Sequence, residues 1–378
     1  MIYLDNAATS FPKAPHVADA MCHYLNSVGA PVNRSVYSSA MEVGFQVLTL
    51  REQLARFFHF PHDPNHVIFT AGATASLNQA ICGYLQSGDH CLVSATEHNA
   101  VMRPLTAIDG VTFDRIPCDE EGFLQLDALP SLLKPNTKLV VMAHASNIVG
   151  SVQNAEAMGR FCHDHGLHFV LDAAQTAGHI AVDFEKFQLS ALAIPAHKGL
   201  LSAGGVGGLL LRPDFAKTLK PLIAGGTGSQ SDSEQTPTYL PDRFEAGTPN
   251  LPAIYGWSAA MTYLESVGIN ALRAHELTLI QIFLTGLQAL PQLRVLGTTD
   301  LRRRVGVISL DTGIYDNAQL SYQLEQQGIL TRCGLHCTPS AHKTMGTFPQ
   351  GALRFSLGHF STKEDVYCAL EALKALCV

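Results

Sequence analysis

Phe169-Val170-Leu171-Asp172-Ala173-Ala174-Gln175, followed by Ala191-Leu192-Ala193-Ile194-Pro195-Ala196-His197-Lys198, decides how this chain is read. Each run is a short apolar segment bounded by polar residues, the pattern of a strand buried on both faces. The first ends in an acid, and the second is followed by a histidine and a lysine. Outward from this pair, residues 66–70, 91–94 and 139–143 repeat the pattern, separated by amphipathic or Ala/Leu-rich stretches of helical length. Strands joined by helix-length crossovers predict an α/β fold, a mostly parallel sheet flanked by helices. Ligands of such sheets collect at the carboxyl ends of the strands, where Asp172 and Lys198 fall.

Past the glycine-rich passage 203–208 and a strand at 209–211, the Gly-, Ser-, Thr- and Pro-rich region 224–252 reads as a long functional or interface-forming loop. A helix from about residue 254, a strand at 305–310, a helix at 317–327, a strand at 353–357 and a closing helix at 363–376 predict a smaller C-terminal α/β domain. The expected division is therefore an N-terminal segment 1–15, available to pack with the small domain, a large domain 16–252 and a small domain 253–378. No internal repeat or low-complexity tract interrupts it.

The 378 residues are 47% apolar and 15% charged, enough for a sizeable core. Lys and Arg number 25 against 32 Asp and Glu, and the net charge of −7 disfavours nucleic acid or an anionic membrane surface as a partner. No run approaches the roughly 18 apolar residues of a membrane span, and the start Met1-Ile2-Tyr3-Leu4-Asp5-Asn6 has no basic-then-apolar leader, so a cytoplasmic protein is expected. Nine scattered cysteines suit reduced thiols better than a disulfide framework. Signatures of P-loop hydrolysis, zincin proteolysis, α/β-hydrolase chemistry and the Gly-x-Gly-x-x-Gly dinucleotide turn are missing.

A lysine amine condenses with carbonyl cofactors, and pyridoxal phosphate needs an acid beside its pyridine nitrogen for the ring to accept electrons. Asp172 and Lys198 suit those two parts, although either residue alone is more often a strand-end cap or a solvated cation. After the strand Val67-Ile68-Phe69, Gly72-Ala73-Thr74 opens a helical stretch and sets backbone N–H groups and a hydroxyl where a phosphate binds. Thr74 is the first anchor there, and by itself also an ordinary cap.

The chain resembles the class V aminotransferase group of fold-type I pyridoxal-phosphate enzymes, and among them the cysteine desulfurases and selenocysteine lyases. The likeness runs in order through Tyr3-Leu4-Asp5-Asn6-Ala7-Ala8, Gly72-Ala73-Thr74, Glu97-His98-Asn99-Ala100, Ser146-Asn147-Ile148-Val149-Gly150, Asp172–Gln175, His197-Lys198, Phe244–Asn250, Arg332–Cys337 and Arg354-Phe355-Ser356-Leu357. It implies pyridoxal 5'-phosphate as cofactor. Lys198 is then the lysine that carries it and moves the Cα proton, Asp172 the partner of the pyridine nitrogen, Gln175 the donor to the phenolic oxygen and His98 the imidazole stacked on the ring. Ala73, Thr74 and His197 are implied phosphate contacts, Asn147 a contact on the carboxylate or phenolic side, and Thr248 a phosphate contact from a second subunit, which makes a homodimer the expected state. Many relatives read Ser-x-His-Lys where this chain has Pro195-Ala196-His197-Lys198, which removes one phosphate hydroxyl, an interaction of ~1.5–3 kcal/mol.

The loop Cys333-Gly334-Leu335-His336-Cys337-Thr338-Pro339 bears on the reaction. In the desulfurases it resembles, the cysteine after Gly-x-His attacks the substrate sulfur, which maps to Cys337. Arg354, with Arg332 assisting, resembles the guanidinium that grips the substrate carboxylate. The implied activity is conversion of L-cysteine to L-alanine with a persulfide on Cys337, passed on to a sulfur-acceptor protein. Selenocysteine or cysteine sulfinate cleavage, another class V or C–S lyase reaction, and an inactive scaffold or sulfur relay are the alternatives. Cys333, His336, Cys337 and His342 match no zinc-knuckle spacing, and no metal site is expected.

Overall fold

The computed structural model describes residues 1–32 and 35–377. Strands are numbered along the chain, from β1 (Ile2–Tyr3) onward. Seven of them, β2 (Val67–Thr70), β3 (His90–Ser94), β4 (Thr112–Ile116), β5 (Thr137–Ala143), β6 (His168–Asp172), β7 (Ala191–Pro195) and β8 (Gly207–Leu211), form one sheet in the order β2-β8-β7-β6-β5-β3-β4. Pairs not involving β8 are parallel, and β8 runs against both β2 and β7. The sheet is thus mixed and mostly parallel. Because β8 opposes two neighbours, β2 runs with the parallel set, and the carboxyl ends of β2, β3, β5, β6 and β7 share one edge.

Every residue of β3, β7 and β8 is buried, as a sheet covered on both sides requires. Side chains alternate between two apolar clusters. Val140, Met142, Phe169, Leu171, Leu192 and Ile194 fill one face, while Leu139, Val141, Val170, Ala191 and Ala193 fill the other. β4 escapes the apolar-run criterion because it is an edge strand. Its Asp114 pairs with Lys134 at 2.7 Å and His90 at 3.3 Å, charge that also discourages further strand addition.

Two close backbone approaches shape the edge where the strands end. A Cβ on Gly207 would lie 2.6 Å from the Gly72 Cα and 2.7 Å from the Ile194 carbonyl oxygen, so only glycine lets β8 pass beside the turn that follows β2. A Cβ on Gly178 would meet the Gly199 carbonyl oxygen at 2.1 Å. The turn after Asp172–Gln175 therefore lies backbone to backbone against the segment that follows Lys198.

Residues 219–250 contain neither helix nor strand. The region is pinned by Glu245, whose carboxylate takes the Arg51 guanidinium at 2.7 and 2.9 Å and the Phe69 N–H at 2.6 Å. Glu245 thereby closes part of the open edge of β2. The helix Leu251–Val267 starts inside the expected loop, because the Asn250 side chain caps it by accepting the Ala253 N–H. Its buried Leu251, Ile254, Trp257, Met261 and Leu264 join the first apolar cluster.

The C-terminal third builds a second sheet from β9 (Arg294–Val295), β10 (Val307–Asp311), β12 (Arg332–Gly334) and β13 (Ala352–Ser356), antiparallel in the order β12-β13-β10-β9. Helices Ile269–Leu287, Asn317–Gln326 and Lys363–Leu376 cover its core. The chain start belongs to this unit. β1 pairs in parallel with β11 (Ile329–Leu330), and Leu4 is fully buried in the same cluster. No helix of the described residues is long and apolar enough to cross a membrane.

Gly207→Ala should cost about 1–3 kcal/mol through overpacking. A urea midpoint equal to that of the parent protein would show that β8 has room to spare.

Candidate active site

One cavity of about 580 Å³ opens on the shared strand edge. Its wall includes Ala73 and Thr74 after β2, His98 after β3, Asn147 after β5, Asp172 and Gln175 at the end of β6, and His197 and Lys198 after β7. These eight were singled out in the sequence, and 125 positions separate Ala73 from Lys198 in the chain numbering. Parallel strands bring them together because each contributes only its carboxyl-end loop.

At one end of the cavity stands the N-terminus of helix Ala73–Cys82. Gly72, at φ 147°, turns the chain into it, and the first helical N–H groups have no partner within the helix. His197 lines this cavity as a neutral imidazole, its pKa pulled down to about 4 by burial and by the charges of Lys198 and Lys13. Pro195 lines it too and brings no hydroxyl; Gly204 and Gly205 supply unencumbered backbone.

Asp172 is 6% exposed and accepts the Ala174 N–H on Oδ1 at 2.8 Å. Burial raises its pKa, and the Lys198 charge opposes that rise. For Lys198, burial lowers the amine to about 8, with Asp172 pulling upward and Arg354 and Arg332 pushing down. Burial thus moves Lys198 toward the uncharged, nucleophilic amine. The Gln175 amide donates to the Ala7 carbonyl at 3.1 Å, which ties this wall to the N-terminal segment.

His98 caps the helix Asn99–Ala107: its Nδ1 accepts the Ala100 N–H at 3.0 Å. The proton of the neutral ring thus sits on Nε2. Burial, then Lys198 and Arg332, hold its pKa near about 4, so it presents a flat neutral ring at physiological pH. The adjoining Glu97 is fully buried, and burial lifts its carboxyl to about 8. Glu97 Oε1 accepts from the Ser94 hydroxyl and from the Ala143 N–H, joining the ends of β3 and β5. Sequence reading quoted Glu97 only as His98's neighbour; its place between the two strands is a tertiary fact.

Cys337 lies outside the cavity wall, on an adjoining loop. It is exposed between buried His336 and buried Thr338. Both His336 and Cys337 hold left-handed backbone, φ 51° and 59°, which costs about 1–2 kcal/mol per non-glycine residue. The Cys337 carbonyl accepts the Asn99 N–H at 2.9 Å, which sets the thiol-bearing residue beside the turn that carries His98. Asn147 is 9% exposed, and its amide reaches across to residues 336 and 338.

Arg354 on β13 is 1% exposed and also stands outside the wall. It pairs with Asp5 at 2.6 Å and donates to the Asn147 carbonyl at 3.3 Å. Arg332 sits opposite it in register on β12. Asp5 was quoted in the sequence without a role and is the counter-charge of this buried guanidinium. Thr248 is not brought to the cavity within one chain. It is exposed and faces a neighbouring cavity of about 490 Å³ that shares Ala71, Ala75 and Gly205 with the first. Thr96 and Ser146 line the main cavity and were not singled out as site residues; single hydroxyls after strands give no periodic signal.

A carboxylate and a buried lysine thus share one cavity at the carboxyl edge of a mostly parallel sheet, with a helix N-terminus beside them. Residues 2–368 match the family described as aminotransferase class-V, and the chain belongs to it. A protein of Vibrio cholerae described as a probable cysteine desulfurase is 33% identical over 99% of this chain and 93% of its own length. The apo structure of cysteine desulfurase from Thermococcus onnurineus superposes with a TM-score of 0.93 at 30% identity, covering 100% of this chain and 94% of the other. The S-sulfonic acid form of the cysteine desulfurase CsdA from Escherichia coli gives a TM-score of 0.88 at 26% identity, covering 100% of this chain and 95% of the other.

The buried imidazoles predict an acid limit. His98, His144 and His197 lie at about 4 and His336 at about 3, all lowered first by burial, against an ordinary 6.5. Between pH 6.5 and 4 the unfolded chain binds more protons than the folded one, so stability should fall as pH drops through that window. Urea midpoints at pH 7 and pH 5 measure it. His144→Asn, whose amide stands near the Nδ1 position and keeps a hydrogen bond to the Thr176 hydroxyl, should shallow the slope by about one proton.

Proposed function

We propose that the chain is a pyridoxal-phosphate-dependent cysteine desulfurase that converts L-cysteine to L-alanine and captures the sulfur as a persulfide on Cys337. The observation that carries this reading is the single cavity shared by Asp172 and Lys198, with the exposed Cys337 thiol on the loop bonded to the His98 turn.

The residues fit the cofactor. The N–H groups of Ala73 and Thr74 and the Thr74 hydroxyl suit its phosphate, with His197 alongside. Asp172, buried and with one oxygen committed to Ala174, has the other available to hold a proton at the ring nitrogen. His98 offers a neutral ring face for stacking, and Gln175, on the same cavity wall, would serve the phenolic oxygen. When bound, pyridoxal phosphate supplies an electron sink for the pair left at Cα when its proton departs.

The chain's own groups do the rest. Lys198, with an amine tuned to about 8, is suited to hold the cofactor and then to take and return the Cα proton at Nζ near neutral pH. Arg354 and Arg332 would bind the substrate carboxylate, and Asp5 keeps the buried Arg354 compensated until it arrives. The Cys337 thiolate forms a bond to the substrate sulfur as the substrate C–S bond breaks. The electron pair of that bond passes to the three-carbon fragment, which gains protons to become L-alanine. The exposed persulfide is then open to a thiol on an acceptor protein.

Homodimerisation belongs to the same proposal. Thr248 from a second copy would reach the phosphate end, a reading supported by its exposure beside a cavity that adjoins that end. Nine free thiols support a reducing, cytoplasmic setting.

Purified protein should show a visible-edge absorption band that Lys198→Ala abolishes, together with a roughly 10²–10⁴-fold fall in alanine production from L-cysteine. Cys337→Ala should stop sulfur release from L-cysteine but spare L-selenocysteine cleavage, since selenium leaves without thiol attack. Alanine formed from L-cysteine at the parental rate by Cys337→Ala would refute the persulfide step.

A further inference from the structure

The loop that carries Cys337 adopts a conformation that side chains disfavour. His336 and Cys337 are consecutive left-handed residues, neither of them glycine. Such a pair persists only where surrounding groups over-determine it. Three bonds from outside the loop do so, one on each of three successive residues. Asn147 Nδ2 donates to the His336 carbonyl at 2.9 Å, Asn99 N–H donates to the Cys337 carbonyl at 2.9 Å, and the Thr338 hydroxyl donates to Asn147 Oδ1 at 2.7 Å. Two of the three come from one amide.

Asn147 is placed for this by the large sheet. It follows β5, lines the main cavity and is nearly buried, so its amide has little freedom to search for other partners. Both ends of the amide are committed to the loop, the NH₂ to one side of Cys337 and the carbonyl to the other. Its backbone oxygen accepts from Arg354. A single residue therefore touches the cavity, the buried guanidinium and the thiol loop.

We propose that Asn147 is the positioning residue of the Cys337 loop: its side-chain amide clamps residues 336 and 338 and so fixes the left-handed turn that presents the thiol. This differs from the contact to cofactor or substrate that family likeness implies for Asn147. The amide commits one of its two N–H donors and one carbonyl lone pair to the loop, which leaves its second N–H for a ligand. Thr338 is the second half of the clamp, and its hydroxyl matters more than its methyl.

The inference takes Cys337 as the sulfur-accepting thiol, yet its test needs no turnover. Cofactor-free Asn147→Ala and Thr338→Val are compared with the parent by hydrogen exchange over residues 333–340 and by iodoacetamide labelling of Cys337, with Cys337→Ser as the blank. Loss of the clamp should speed exchange there about tenfold or more in Asn147→Ala and to a smaller degree in Thr338→Val. Cys337 should label faster in both, while buried Cys91 and Cys162 stay unlabelled. If Asn147→Ala labels those two as well, its fold is lost and Thr338→Val decides alone. Parental exchange and labelling of the loop in the deciding variant would overturn the clamp. Absence of desulfurase activity would instead defeat the functional reading and leave the exchange result untouched.

Discussion

A buried acid and a buried amine on one cavity are what the rest of this architecture serves. Asp172 closes β6, and Lys198 follows its parallel neighbour β7, in register through Asp172 and Ala193. Burial pushes the acid's pKa up and the amine's down, toward each other, while their mutual attraction resists both shifts. Neither would hold such values on a solvated surface. The backbone contact of Gly178 with Gly199 keeps the two segments from drifting apart, and apolar strands on both faces keep the sheet edge rigid beneath them.

Around that pair the chain arranges polar groups by committing most of them to its own backbone. His98 uses one nitrogen to cap a helix, which fixes its ring and its tautomer. Glu97 spans two strand ends as a carboxyl whose pKa burial raises. Arg354 is balanced by Asp5 from the far end of the chain, so the first residues of the protein are part of the site's electrostatics. The β1–β11 pairing is the mechanical reason, because it seats the N-terminus on the C-terminal unit.

Much of the sheet was legible because buried parallel strands must be apolar on both sides, and 139–143, 169–172 and 191–195 announce themselves as such runs. The edge strand β4 did not, since the charged Asp114 and Arg115 break the apolar pattern. The start of helix Leu251–Val267 was read late, because proline at its second position and the capping Asn250 look like loop residues until the cap bond is seen. Of the site, the cavity wall from Ala73 to Lys198 was readable through ordered motifs at strand ends. The placements of Thr248, Arg354 and Cys337 outside that wall were not, for they depend on which loop lies beside which.

The sequence alone determined that this chain builds a mostly parallel sheet with an acid and a lysine at adjoining strand ends, because periodicity and residue type are local properties. Tertiary structure alone decided the partners: Asp5 with Arg354, Glu245 with Arg51, and Asn147 with residues on both sides of Cys337. Each of those joins positions far apart in the chain, and such a bond leaves no periodic trace. What selects it is the geometry of two elements meeting and the cost of leaving a buried polar group unpaired.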